Sequence, residues 1–162
     1  ALVNGGNYYT PTLIKGENKE KPVVQIISEK TSKIMRHLMW AVVDYELKNN
    51  SPVAMYAVGG KTGSRQILEN GKYVEGRLRT SFVGAFPMNQ PKYIVLISID
   101  DPKKIKETHM FNTAGWNAKQ IGLQVIGEIA PYLGVEPVES WTQPDYVVKS
   151  LEKCKTWKKE HR

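Results

Sequence analysis

Val58-Gly59-Gly60-Lys61-Thr62-Gly63-Ser64-Arg65-Gln66 follows an apolar run, Val53 to Val58, and leads into Ile67-Leu68. Extended flanks around a Lys-Thr-Gly centre read as a strand whose backbone is approached closely. Glycine inside a strand costs stability, so three glycines in five positions need a reason. Access is one reason: without side chains at Gly60 and Gly63, another group can sit against the strand. Lys61 supplies a cation. Thr62 and Ser64 lie two apart, so their hydroxyls share a face and Lys61 points to the other, toward whatever packs behind the strand. An edge with free N–H groups, two hydroxyls and an ammonium suits a carboxylate or a developing oxyanion.

Lys-Thr-Gly is one of the three motifs of penicillin-binding proteins and class A β-lactamases. Here it lies in a longer order. Gly59 to Ser64 is followed by Ser81-Phe82-Val83-Gly84-Ala85-Phe86-Pro87 and then by Pro91-Lys92-Tyr93-Ile94-Val95-Leu96. Over roughly Ala1 to Pro137 the chain resembles the C-terminal half of a class B penicillin-binding protein transpeptidase domain. Asp101-Pro102 and Thr113-Ala114-Gly115-Trp116-Asn117-Ala118 most resemble the division-specific member.

The resemblance implies roles. A serine attacks the penultimate D-Ala carbonyl of a peptidoglycan stem peptide, and an amine on a neighbouring strand then takes the acyl group. Penicillins acylate the same serine. Lys61 would bias the serine's proton network, and the Thr62 and Ser64 hydroxyls would hold the terminal carboxylate. Gly63 keeps the strand open, and the Ser64 N–H would be one of two oxyanion donors. Many relatives carry Thr where Ser64 stands, which keeps the hydroxyl. No cofactor is implied. Implied partners are stem peptides, β-lactams, the N-terminal part of the same domain and membrane proteins of the division machinery. The implied place is the periplasmic face of the bacterial inner membrane, for a parent that is membrane-anchored.

The family's Ser-x-x-Lys and Ser-x-Asn motifs belong upstream of Lys-Thr-Gly, and neither stands there. Ser150-Leu151-Glu152-Lys153 fits the first as text but follows Lys61 within a charged tail, so it is read as coincidence. The expectation is one wall of an active site without its nucleophile, inactive alone. Two other classes are alternatives: a non-catalytic lobe that binds D-Ala-D-Ala ends or β-lactams, and a basic nucleic-acid-binding domain.

The 162 residues suffice for one domain with a core, and 41% hydrophobic and 24% charged residues are ordinary for a globular protein. No stretch approaches the roughly 18 apolar residues of a membrane span. The lone Cys154 excludes an internal disulfide. Net charge is +7, and residues 149–162 carry six Lys or Arg against two Glu. Without interleaved stacking aromatics this basic tail reads as a solvated end, and no nucleic acid is expected. The division is therefore residues 1–137 as domain portion and 138–162 as basic tail.

The expected fold class is α+β, an antiparallel meander flanked by helices in a partial transpeptidase-like fold. Ala1 to Gly6 reads as a helix end with a glycine stop, which suggests a cut inside a larger domain. Val23 to Ile27 reads as a short strand. Ser28 caps a helix running to about Lys48, with Ile34, Leu38, Ala41, Val42 and Tyr45 as its apolar stripe and His37 beside it. Asn49 to Pro52 ends it. Asn70-Gly71 marks a projecting hairpin. A strand follows at about Thr80 to Phe86, and Lys92 to Asp100 reads as a central strand covered on both faces. Asp100-Asp101 reads as a turn, and no metal is expected from His37, His109 and His161. Lys103 to Asn112 reads as a polar loop. A second helix spans Trp116 or Asn117 to Ala130, with Ile121, Val125, Ile126 and Ile129 inward; Leu133 to Pro137 stops it. A short helix is expected after Pro144. If the N-terminal half is elsewhere, the edge of Lys92 to Asp100 is open and invites a second copy.

Overall fold

The computed structural model describes residues 1–14, 22–47, 52–138, 141, 144–145 and 148–149. Strands β1 (Asn7–Tyr8) and β2 (Val24–Gln25) form a small antiparallel pair. Helix α1 spans Glu29–Leu47. A 3-10 turn, Pro52–Tyr56, leads into β3 (Gly59–Glu69), β4 (Lys72–Phe86) and β5 (Tyr93–Asp100). A second 3-10 turn, Lys106–Thr108, precedes helix α2 (Ala118–Ile129). The main sheet is an antiparallel meander in the order β3-β4-β5. The α+β expectation therefore holds.

The hairpin forms where Asn-Gly demands it. Asn70 and Gly71 take φ of 50° and 77°, the pair of left-handed residues that a tight hairpin turn needs. β4 is longer than the expected Thr80 to Phe86: it runs from the turn, and a bulge around Gly76 shifts its register against Gln66/Ile67. The run before Gly59 is a correction. It is 3-10 helix rather than strand, and it buries Val53 and Tyr56. A left-handed Ala57 then turns the chain into β3.

β5 was expected to be central and covered on both faces. Among the described residues it is an edge strand. Tyr93, Val95, Ile97 and Ile99 pack toward the core, whereas Ile94 and Leu96 are 64% and 65% exposed. A continuous apolar run reports two apolar faces but not what covers them.

Helix α1 starts as expected, with the Thr31 N–H donating to Ser28 Oγ at 3.1 Å. Its inward stripe differs in part: Ala41 is buried as expected, and the side chain of Tyr45 lies outside the described residues. Val42 is exposed and Val43 buried, while Trp40 and Leu47 approach the sheet and α2. Ser32 is buried because its hydroxyl donates to Leu2 O (2.9 Å) and accepts from Gly5 N (3.1 Å). That tie puts Ser32 on the inward face of the helix, among the apolar positions. The glycine stop before it is real: Gly5 and Gly6 have φ of 83° and 93°.

Helix α2 packs across β4 and β5 and onto the 3-10 turn. Ile126 is buried and Ile129 packs against the core as expected, but Ile121, also expected inward, is 45% exposed; Ala118, Gly122 and Leu123 are buried in its place. Small residues won because the helix sits directly over Phe82. After Ala130 the chain reverses through Gly134 (φ 63°), with the Val135 N–H bonding Ala130 O. Asp100 and Asp101 pair with cations, Arg79 holding Asp100 and both Arg77 and Lys103 holding Asp101. Those cations hold both carboxyls below the usual carboxylate range.

The stop at Asn49 to Ser51, Ser150 to Lys153 and nearly all of the basic tail fall outside the described residues. Of the helix expected after Pro144, one bond is described, Val148 N to Pro144 O at 3.2 Å.

Candidate active-site wall at the Lys-Thr-Gly edge

The hydrogen-bond phase of the sheet decides which amides are free. The Asp101 N–H donates to Leu78 O at 2.8 Å, so even-numbered β4 residues bond β5 and odd-numbered ones bond β3. Their β3 partners are odd as well: Lys61 faces Val83 and Gly63 faces Ser81. Gly60, Thr62 and Ser64 therefore turn their N–H and C=O groups to the side of β3 that no strand covers among the described residues. Lys61 Nζ folds onto that side and donates to Thr62 O at 2.9 Å. Ammonium and Ser64 amide thus share one open edge.

Thr62 and Ser64 do share a face, as their spacing predicts. Opposite them on β4 are Phe82 and Thr80. Thr62 is half-buried; Lys61, Gly63 and Ser64 are exposed. Lys61 does not pack behind the strand as expected, since its head returns to the edge. The Ser64 hydroxyl accepts the Ala114 N–H at 3.0 Å. An oxygen that accepts on one side keeps its own proton to donate on another. Ala114 belongs to the turn before α2, where the Lys119 N–H bonds Ala114 O at 2.9 Å.

That turn is anchored a second time. Asn117 Oδ1 caps α2 by accepting from Ala118 N (2.6 Å) and also accepts from Thr80 Oγ1 (2.7 Å). Thr80 is fully buried and pairs with Ser64 across the strands. The Thr113-to-Ala118 segment therefore braces the strand from behind. Its motif is legible in the sequence; its contact with Ser64 is not, because 50 residues separate them.

The glycines sort differently from the expectation. A Cβ on Gly60 would lie 2.5 Å from the Phe82 ring, and one on Gly59 would lie 2.8 Å from Trp40 N of α1. Both are required by packing, so Gly60 does not serve ligand access. At Gly63 a Cβ would meet only Ser81 Oγ, at 3.1 Å. Gly63 alone keeps the edge open.

His37 lies far from this edge in the sequence and is buried on α1. Its ring stacks against Trp141 at 4.5 Å, and Trp141 also contacts Trp40 at 4.7 Å. Burial, then Lys33 and Arg36, lowers its pKa. Burial likewise lowers that of Lys119 and raises that of Asp44. Among the described residues no three His, Cys, Asp or Glu side chains converge to hold a metal, and no helix is long and apolar enough to cross a membrane.

Residues 1–121 match the penicillin binding protein transpeptidase domain. Stage V sporulation protein D of Bacillus subtilis is 35% identical over 157 residues, covering 90% of this chain and 24% of that protein. The probable peptidoglycan D,D-transpeptidase FtsI of Caulobacter vibrioides is 36% identical over 146 residues, 84% of this chain and 25% of that one. This chain thus spans about a quarter of the length of either relative. The transpeptidase domain of penicillin-binding protein 3 from Burkholderia pseudomallei has the same fold at a TM-score of 0.60, with 23% identity, over 86% of this chain and 41% of that one. Penicillin-binding protein 3 of Mycobacterium tuberculosis complexed with ampicillin matches at 0.56, with 19% identity, over 74% and 27%. The motif order, the open Lys-Thr-Gly edge and the family match agree: the chain belongs to the transpeptidase domain family of the penicillin-binding proteins.

Proposed function

We propose that residues 1–137 form the Lys-Thr-Gly wall of a peptidoglycan D,D-transpeptidase site, with residues 138–162 a basic segment beyond it. The observation that carries this reading is the shared open edge, where the Ser64 amide and the Lys61 ammonium stand together.

In the assembled site a serine from another stretch of the domain attacks the penultimate D-Ala carbonyl. The carbonyl oxygen takes the electron pair and points at the Ser64 N–H. Collapse of the tetrahedral adduct expels terminal D-Ala, which leaves with a proton, and forms an acyl-serine. An acceptor amine then displaces the serine oxygen, giving the crosslink and returning the proton to the serine. A β-lactam follows the first half, its ring amide serving as the scissile bond. Lys61 stabilises negative charge around the serine. The Thr62 and Ser64 hydroxyls donate to the substrate's terminal carboxylate, which the Ala114-to-Ser64 bond leaves Ser64 free to do. The setting proposed with this reading is the periplasmic face of a bacterial inner membrane, in a membrane-anchored parent working beside membrane proteins of the division machinery.

No Ser-x-x-Lys precedes Lys61, so the 162-residue chain should take no penicilloyl adduct in mass spectrometry. Joined to a serine-bearing segment of the domain, it should be acylated, and Lys61→Ala should slow acylation about 10²–10³-fold, the scale of one lost electrostatic contact in such a site. A stable adduct on the chain alone, or an unaffected Lys61→Ala rate, refutes the proposal. The apolar surface of Val83, Ile94 and Leu96 is expected to pair copies of the isolated chain; a monodisperse monomer in concentrated light scattering refutes that.

A further inference from the structure

Behind the Ser64 anchor lies a cavity of about 310 Å³ lined by Gly115, Trp116, Lys119 and Gln120. Its position follows from the backbone. Ala114 bonds Ser64, and the Trp116 N–H closes a turn onto Thr113 O at 3.0 Å, so Gly115 and Trp116 are held directly beside the Lys-Thr-Gly strand.

Trp116 is a built surface. Phe111 stacks on it at 5.4 Å and 15°, and His109 meets it edge-on at 5.0 Å. Neither is among the cavity's lining residues. His109 and Met110, successive residues with side chains, take φ of 49° and 63° to present these rings. Left-handed backbone at such residues is strained and gathers at working sites. Even so braced, Trp116 stays 40% exposed.

Gly115 is the second observation. Its φ is not positive, and a Cβ built on it would meet nothing within 4 Å. Neither backbone nor packing requires glycine there, in contrast to Gly59, Gly60 and Gly122. What glycine preserves is the open volume of the cavity. Around the aromatic face stand hydrogen-bonding groups. The Gln120 amide is held through Nε2 to Gly115 O at 3.1 Å, which leaves its Oε1 as an acceptor. Lys119, itself buried, is the other polar residue of the lining.

The geometry points to a carbohydrate subsite: the Gly115–Trp116–Lys119–Gln120 cavity takes one pyranose ring of the glycan that carries the stem peptide. A pyranose offers an apolar C–H face to an aromatic ring and hydroxyls around its rim to a side-chain amide. A cation is opposed by Lys119, and an extended peptide is better served by the open edge of β3. The inference rests on the proposed transpeptidase reading for the identity of the glycan, but not for the existence of the subsite.

The test uses the 162-residue chain with three ligands: a D-Ala-D-Ala stem peptide, the same peptide on an N-acetylated disaccharide, and a β-1,4-linked N-acetylglucosamine tetrasaccharide. Affinity is read by calorimetry and by the Trp116 indole N–H shift in NMR. The disaccharide-peptide should bind about tenfold more tightly than the bare peptide, and the tetrasaccharide alone should shift the Trp116 signal. A Cβ at Gly115 meets nothing within 4 Å and the branched side chain of Gly115→Val occupies the open volume, so this variant should erase both effects and leave bare-peptide affinity unchanged. Lys61→Ala should weaken both peptides and spare the tetrasaccharide. Equal affinity for the peptides with and without sugar, or a Gly115→Val chain that keeps the sugar effect, overturns the subsite. Tetrasaccharide binding without any peptide binding upholds the subsite and overturns the transpeptidase reading instead.

Discussion

The Phe82 ring sits in a box of three glycines, and filling one wall of it is a quantitative test of the core. A Cβ on Gly122 of α2 would lie 2.5 Å from Phe82 Cδ1, 3.1 Å from Cε1 and 3.4 Å from Ile97 Cγ1. Gly60 and Gly84 close the ring in from β3 and β4, at 2.5 Å and 2.9 Å by the same construction. Phe82 is 1% exposed and cannot swing aside. Two effects oppose in Gly122→Ala. Overpacking costs about 1–3 kcal/mol. Alanine in a helix interior returns about 0.8–1.0 kcal/mol. The single variant should therefore range from near neutral to about 2 kcal/mol less stable. The sign becomes clear in a Phe82→Leu background. That change is itself destabilising, by less than the ~3–5 kcal/mol of a Phe→Ala truncation. With the ring gone only the helical gain remains, so Gly122→Ala should then stabilise. The coupling between the two positions should be about 1–3 kcal/mol, read from urea denaturation of the four chains in a double-mutant cycle. Gly60 is a poorer choice, because its Cβ would also meet Val83 O at 2.6 Å, a conflict that Phe82→Leu leaves in place. Additivity to within about 0.5 kcal/mol would mean the positions act independently, and the box would be wrong.

Asn117→Ala removes the cap of α2 and strands the buried Thr80 hydroxyl; it should cost about 2–4 kcal/mol, a cap at about 1 plus an unpaired buried hydroxyl at about 1–3. A melting temperature within about 2 °C of the original would contradict this. Because the folded pKa of His37 lies below its ordinary value near 6.5, the unfolded chain binds the proton first as pH falls. Stability should decline from about pH 7 downward until the folded ring itself titrates, with Lys33 and Arg36 opposing its charge. His37→Gln should remove that component of the pH profile, with tryptophan fluorescence following the Trp40–Trp141 contact; an unchanged profile would place the titration elsewhere.

Motif and turn chemistry were legible from the residues alone. Lys-Thr-Gly-Ser, the Asn70-Gly71 hairpin, the Ser28 cap and the meander that follows are local patterns whose physics is complete within a few residues, and the resemblance they carry led to the family. Side-chain alternation along β3 placed the Thr62 and Ser64 hydroxyls on one face before any coordinates. The rest required distant partners. Ser32 lies inward where it bonds Leu2 and Gly5, and α2 needs glycine over Phe82; apolar periodicity contains neither. The glycines of the motif looked alike in one dimension. Only the fold separates Gly59 and Gly60, pressed on α1 and Phe82, from Gly63, which leaves the edge open. That edge is itself a property of the sheet: the phase of its hydrogen bonds, set where β4 meets β5, determines that the Ser64 amide points outward.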